Sequence, residues 1–231
     1  MIAKEIVPDL YEISLGNVNT FLIRDGDELT AIDAGHPGDD EAILAAVRDL
    51  GYHPADVRNI LITHAHYDHA GGLAALKKAT GAAAWMHPLD AKLVRAGRAE
   101  RPHQVAPGVL NRILFWVFVR GNPDTVPPAE IEHEIEDDQV IPLAGGLRAV
   151  HVPGHCAGQL AFLWSRHGGV VFAADAAANA MGLRLSITYE DLNQGKKSLQ
   201  KLSEQSFEVA VFGHGDPIQS GAAHRFRDAF A

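Results

Sequence analysis

Four side chains able to bind a metal fall within six residues: His64, His66, Asp68 and His69, in the run Thr63-His64-Ala65-His66-Tyr67-Asp68-His69. Imidazole and carboxylate together suit zinc, iron or manganese. Without thiolates in the run, an iron–sulfur cluster or a closed structural zinc is not expected. On extended backbone side chains alternate in direction, so His64 and His66 point the same way and can chelate one cation. Asp68 and His69 fall in the following turn, where they can be aimed at a second. One short run does not close two coordination spheres. Three more candidates each follow a strand-like run: His155 in Pro153-Gly154-His155, Asp175 in Phe172-Ala173-Ala174-Asp175, and His214 in Gly213-His214-Gly215. A strand end leading into a loop lets a fixed side chain project into a cleft. A single histidine in a glycine turn is ordinarily a hydrogen-bonded surface residue. Five histidines and two aspartates in one recurring setting are not. The other eight of the 13 histidines (His36, His53, His87, His103, His133, His151, His167 and His224) lack such company and are read as ordinary. Cys156, next to His155, is read as a small packed residue, because adjacent side chains seldom reach the same metal.

The elements that must position these residues are short. Strands are expected at 10–14, 19–24, 29–33, 59–63 and 82–86, with helices at 39–51, 71–79 and 88–99, punctuated by glycines and turn residues. The back half repeats the theme, with strands at 139–142, 147–152, 160–164, 170–174 and 209–212 and helices at 187–203 and 221–230. Two successive sets of strands followed by helices predict two stacked sheets with helices outside. The odd region is 101–136, whose stretch 109–119 is apolar nearly all round. It is too short to span a bilayer and reads as a buried core helix, a lid or pocket wall, or a dimer contact.

Composition sets the remaining bounds. A chain of 231 residues with 47% hydrophobic side chains can be one α/β domain, expected here over 1–231 with 101–136 as a lid or pocket insertion. A net charge of −9 speaks against nucleic acid as a partner. One cysteine excludes an intrachain disulfide and fits a reducing compartment. The opening residues Met1 to Pro8 lack the apolar stretch of a signal peptide, and no run is long enough for a membrane span. The expectation is a cytoplasmic protein with no membrane partner.

The His64-x-His66-x-Asp68-His69 pattern, Pro153-Gly154-His155, the strand-terminal Asp175 and Gly213-His214 occur in an order that resembles the metallo-β-lactamase fold superfamily over essentially the whole chain. The resemblance implies an α/β fold, a four-layer αββα sandwich with two divalent metal ions at the sheet edges, zinc foremost, with iron or manganese as alternatives. It implies His64, His66 and His155 on one metal, Asp68, His69 and His214 on the other, and Asp175 between them. Asp33, ending the strand at 29–33, is expected to orient a ligand histidine. The implied chemistry is attack by a metal-bridging hydroxide on an acyl carbon, the leaving group taking a proton from water or from Asp68.

Asp175 discriminates between branches of that superfamily. Antibiotic-hydrolysing members generally lack a bridging aspartate there. Glyoxalase II-like thioesterases share it but usually carry a basic C-terminal extension, and about 17 residues follow His214 here. Lactonases share all seven ligands and often place a tyrosine three residues after the aspartate, where this chain has Ala178; Tyr189 is the candidate substitute. The expectation is a dinuclear hydrolase of a small ester, lactone or thioester, with a small acyl compound as partner and a homodimer left open. A mono-iron persulfide dioxygenase-like oxidoreductase is the alternative. A β-lactamase, a nuclease and a non-enzymatic metal-binding module are disfavoured.

Overall fold

Along Asn19–Asp25, Phe21 and Ile23 face one way and Leu22 the other, and this period of two recurs in every central strand. Ile32 and Leu61 face with Phe21, whereas Ala31, Ile60 and Ile62 face with Leu22. In the back half Phe162, Trp164 and Phe172 join the first set, while Ala161, Val171 and Ala173 turn to a third cluster. Strands apolar on both faces must be covered on both faces, so the molecule has three apolar layers between four layers of structure.

The computed structural model describes residues 3–99, 102 and 104–231. The readings of Met1 and Ile2 as part of a leaderless start, of His103 as ordinary, and of Arg101 as the first residue of an insertion lie outside the described residues. The first sheet has seven strands in spatial order Lys4–Val7, Leu10–Ser14, Asn19–Asp25, Glu28–Ile32, Val57–Leu61, Ala83–Met86 and His133–Glu134. Its first four strands are antiparallel neighbours, and the pairings from Glu28–Ile32 onward are parallel. The second sheet has order Val209–Val211, Val170–Phe172, Leu160–Trp164, Leu147–His151 and Val140–Ile141, parallel only in its first pair. The sheets meet through Phe21 and Phe172, edge to face at 5.7 Å. Helices Asp40–Asp49, Leu73–Thr80 and Pro88–Arg95 cover the first sheet, with Ile43, Leu44, Val47, Leu76 and Val94 inward. Leu192–Ser203 and Ala222–Phe230 cover the second, with Leu199, Leu202 and Phe226 inward. The expected αββα sandwich is the fold observed.

Two expectations change. The helix expected over 187–203 begins only at Leu192, because Asp191 caps it by accepting from the Gln194 amide at 2.9 Å. Thr188–Tyr189 ahead of it is a short strand paired with Gln104–Val105. The stretch at 109–119 is not a buried core helix. It forms the α-helix Val109–Leu114 continuing as a π-helical turn Phe115–Val119, with Val109 73% and Trp116 65% exposed. Leu114, Phe118 and Val119 line a cavity. No helix among the described residues is long and apolar enough to cross a membrane.

Candidate metal centre

The seven expected residues come from four chain segments, and all of them follow the C-terminal ends of strands. His64, His66, Asp68 and His69 follow Val57–Leu61, the last two on the short helix Tyr67–Ala70. His155, Asp175 and His214 follow Leu147–His151, Val170–Phe172 and Val209–Val211. Main-chain bonds tie the loops across the two sheets: the Leu160 amide donates to Thr63 O at 2.9 Å and the Asn19 amide to Gly213 O at 2.8 Å. At two of the strand ends a non-glycine residue takes a left-handed backbone, Asp33 with φ 63° and Ala174 with φ 47°. Such strain persists only where the surroundings fix it, and functional sites are where it collects.

The histidines form two groups. His64 Nε2 and His155 Nε2 lie 3.1 and 3.0 Å from His66 Nδ1. His214 Nε2 lies 3.4 Å from Asp68 Oδ2, and His69 Nε2 lies 3.9 Å from the same oxygen. Asp175 stands between them, with Oδ1 3.5 Å from His69 Nε2 and Oδ2 3.6 Å from His155 Nε2 and 3.1 Å from His214 Nε2. Asp33, Tyr189 and Cys156 each have a definite place around these groups.

The outer nitrogen of every ring is held. His69 Nδ1 donates to Asp33 Oδ2 at 2.8 Å, as expected of an orienting acceptor. His155 Nδ1 donates to Thr188 O at 2.7 Å and His214 Nδ1 to Asn17 O at 2.5 Å. His64 Nδ1 donates to Thr63 Oγ1 at 3.0 Å, whose own hydroxyl is given to Asp33 at 2.8 Å. Asp33 therefore orients two rings, one directly and one through Thr63. His66 Nε2 faces Cys156 Sγ at 3.4 Å. The reading of Cys156 as a packed residue only is thus corrected: His155 and Cys156 sit in a turn, so neighbouring side chains converge on the same ring instead of alternating. Tyr189 is not a substitute for the lactonase tyrosine. It is buried, its hydroxyl donates to Ala176 O and accepts from the Ser186 amide, both at 3.0 Å, and burial raises its pKa.

With the outer nitrogens donating, the inner ones face each other at about hydrogen-bond distance, an arrangement that a shared cation would satisfy. His69 Nε2 and Asp175 Oδ1 are buried with no hydrogen-bond partner. Unpaired buried polar atoms are costly. The donor set, five imidazoles and two carboxylates with the Cys156 sulfur close enough to join His64, His66 and His155, fits divalent cations of the zinc, iron and manganese class. The electrostatics of the metal-free chain agree. Burial would raise the Asp68 pKa, but His69 and His214 hold its carboxyl well below the usual carboxylate range. Burial opposes charge on His69 as well, yet Asp175, Asp68 and Asp33 push it up to about 9. His155 goes down through burial, against the pull of Asp175.

Sequence reading missed the residues that clamp these loops. Asp90, fully buried at the start of Pro88–Arg95, accepts from the Ala65 amide at 2.8 Å and from the Gly158 amide at 2.9 Å. It therefore pins the backbone between His64 and His66 to the loop beyond His155. Gly213 is required by close approach: a Cβ there would lie 2.3 Å from Asp175 Oδ1 and 2.6 Å from His69 Cε1. A cavity of about 400 Å³ opens above the centre. His66, Asp68, His155, Asp175 and His214 lie at its base, with Tyr67 beside them. Phe118, Met181 and Leu185 are among its apolar walls.

A model of the metallo-beta-lactamase superfamily matches residues 13–214. Among curated proteins, YobT of Bacillus subtilis (strain 168) is 28% identical over 92% of this chain and 88% of its own length. The hydroxyacylglutathione hydrolase of Pseudomonas entomophila (strain L48) is 28% identical over 79% of this chain, which spans 62% of it. Thioesterase pkgB of Emericella nidulans is 27% identical over 89% of this chain, which spans 48% of it. Among solved structures, a mutant metallo-β-lactamase from Cronobacter sakazakii superposes with a TM-score of 0.74, covering 93% of this chain and 80% of its own, at 23% identity. At that identity the likeness is one of fold.

Proposed function

The chain belongs to the metallo-beta-lactamase superfamily, and on that premise we propose that it is a dinuclear metal hydrolase, zinc-loaded, acting on a small ester, lactone or thioester. The observation that carries the reading is Asp175, whose carboxylate lies between the two histidine groups, within 3.6 Å of His155 Nε2 in one and of His69 Nε2 and His214 Nε2 in the other. His64, His66 and His155 would hold one cation, Asp68, His69 and His214 the other, and Asp175 both. Two cations held there would lower the pKa of a bound water towards neutrality and polarise a carbonyl oxygen. Asp68, beside the His69 and His214 rings and lining the cavity, would take the proton given up by the attacking water and return it to the leaving group. Asp33 and Thr63 fix the rings of His69 and His64, so little reorganisation is needed during reaction. The walls formed by Phe118, Met181 and Leu185 take up the apolar acyl portion and exclude water from it. The hydrolase and thioesterase names of two relatives support the acyl class.

Metal analysis joined to a panel of lactones, thioesters and aryl esters tests the reading. Two metals per chain and turnover of at least one ester class are expected. Asp68→Ala should lose one metal and most of the turnover. One iron per chain with oxygen consumption on a persulfide, or full activity in Asp68→Ala, would overturn it.

A further inference from the structure

We propose that Arg184 is the anchor for a carboxylate at the far end of the substrate, so that the compound cleaved is an acyl ester or thioester bearing one remote negative charge. The proposal rests on the hydrolase reading above and narrows it.

Arg184 is half-buried in the cavity wall and is the one lysine or arginine among its described lining residues. It makes no ion pair among the described residues. Its guanidinium instead donates from Nη2 to Asn111 Oδ1, a neutral acceptor. Asn111 is itself buried and fixed, donating from Nδ2 to Pro107 O at 2.7 Å. A guanidinium carries five N–H donors in a planar fork, so one bond to an amide orients it and leaves donors for a ligand. A carboxylate is the group that fits such a fork in bidentate fashion.

The position is fixed relative to the reacting groups. Two residues beyond Arg184, Ser186 Oγ donates to Asp175 O at 2.7 Å, and two further on Thr188 O receives His155 Nδ1. The strand that carries Arg184, paired with Ala177–Ala178, thus continues into a segment bonded to two of the metal-centre residues. Extended chain rises about 3.3 Å per residue, so the Arg184 backbone stands roughly 7 Å along the chain from Ser186. The lining near it includes Leu185, Ile187 and Met181, which suit an intervening hydrocarbon chain and strengthen a charge-assisted bond by keeping water away. Asp124 and Asp216 line the same cavity. Two carboxylates facing the ligand penalise a phosphate dianion more than a carboxylate monoanion.

The test compares aryl esters of equal chain length ending in methyl, carboxylate or phosphate, assayed on the metal-loaded protein. The expected kcat/KM for the carboxylate-ended ester exceeds that of the methyl-ended one by about tenfold or more, mostly through KM, and the phosphate-ended ester shows no such gain. In Arg184→Met the carboxylate-to-methyl ratio should collapse towards one, while Arg184→Lys keeps part of it. The ratio is internal to each variant, so lowered folding yield does not imitate the result. No carboxylate preference in the natural protein, or an unchanged ratio in Arg184→Met, would overturn the anchor and leave Arg184 as a support for Asn111. A gain for phosphate equal to that for carboxylate would overturn the monoanion assignment. If no ester is cleaved, the hydrolase reading fails separately. The anchor is then decided by calorimetry of hexanoate binding, which must weaken in Arg184→Met for the proposal to stand.

Discussion

His69 combines the two properties that make an empty metal ligand costly: its inner nitrogen has no partner, and its outer nitrogen is bound to Asp33. In the metal-free chain its pKa rises from 6.5 to about 9, burial opposing the change and Asp175, Asp68 and Asp33 driving it. A group whose folded pKa is raised contributes stability that is complete below its unfolded value and is lost as pH climbs through the folded one. The chelated protein should therefore lose thermal stability between roughly pH 6.5 and 9, and the metal-loaded protein, whose His69 carries no such proton, should not share that loss. Metal uptake must displace the same proton, so apparent affinity should increase with pH up to about 9 and proton release should accompany binding. Denaturation scans and pH-dependent metal titrations check both; an affinity flat across that interval would contradict the assignment. The inward atoms were legible in the sequence because residue type and spacing alone mark them. Their outer partners were not. Two are main-chain oxygens, of Asn17 and Thr188, which carry no side-chain signature and lie far along the chain from the rings they hold.

At the scale of elements, strand ends were readable and clamps were not. Short apolar runs between turn residues located the strands that end at the site, since strands buried on both faces read as continuous apolar runs. The start of Leu192–Ser203 was misplaced because the apolar spacing runs on through Ile187, and Asp191 is the residue that decides it. The 109–119 stretch misled in another way. Its apolar content suggested burial, but most of it faces out and only part lines the cavity. Close approach between elements gives the sharpest prediction here. Gly213→Ala places a methyl against Asp175 and His69, both of which are buried and unable to withdraw without breaking other bonds. Metal content and turnover should fall together, while secondary structure by circular dichroism changes little. Normal metal content in Gly213→Ala would show that the loop yields more easily than this geometry allows.

For the whole molecule, the metal centre draws on both sheets. His64 to His69 come from the first, and His155, Asp175 and His214 from the second. Cations bound only by the folded chain stabilise it in proportion to RT ln(1 + [L]/Kd), about 4 kcal/mol at a thousandfold excess over Kd. Chelation should lower the Tm by several degrees, and restoring zinc should recover it. An unchanged Tm on stripping would mean that the inward lone pairs are not where the cations sit. The apolar core between the sheets contains none of the metal-centre residues, so the stripped protein should keep its cooperative transition.

The cavity has a base and walls of different origin. The base is built on the ends of strands locked into two sheets, whereas Leu114, Phe118 and Met181 stand on segments outside both. Exchanges on those segments would alter what the cavity admits without moving the residues at its base. Selection can thus retarget a scaffold of this kind by diversifying its walls, and a laboratory library confined to the same positions would explore new substrates while inheriting the reaction unchanged.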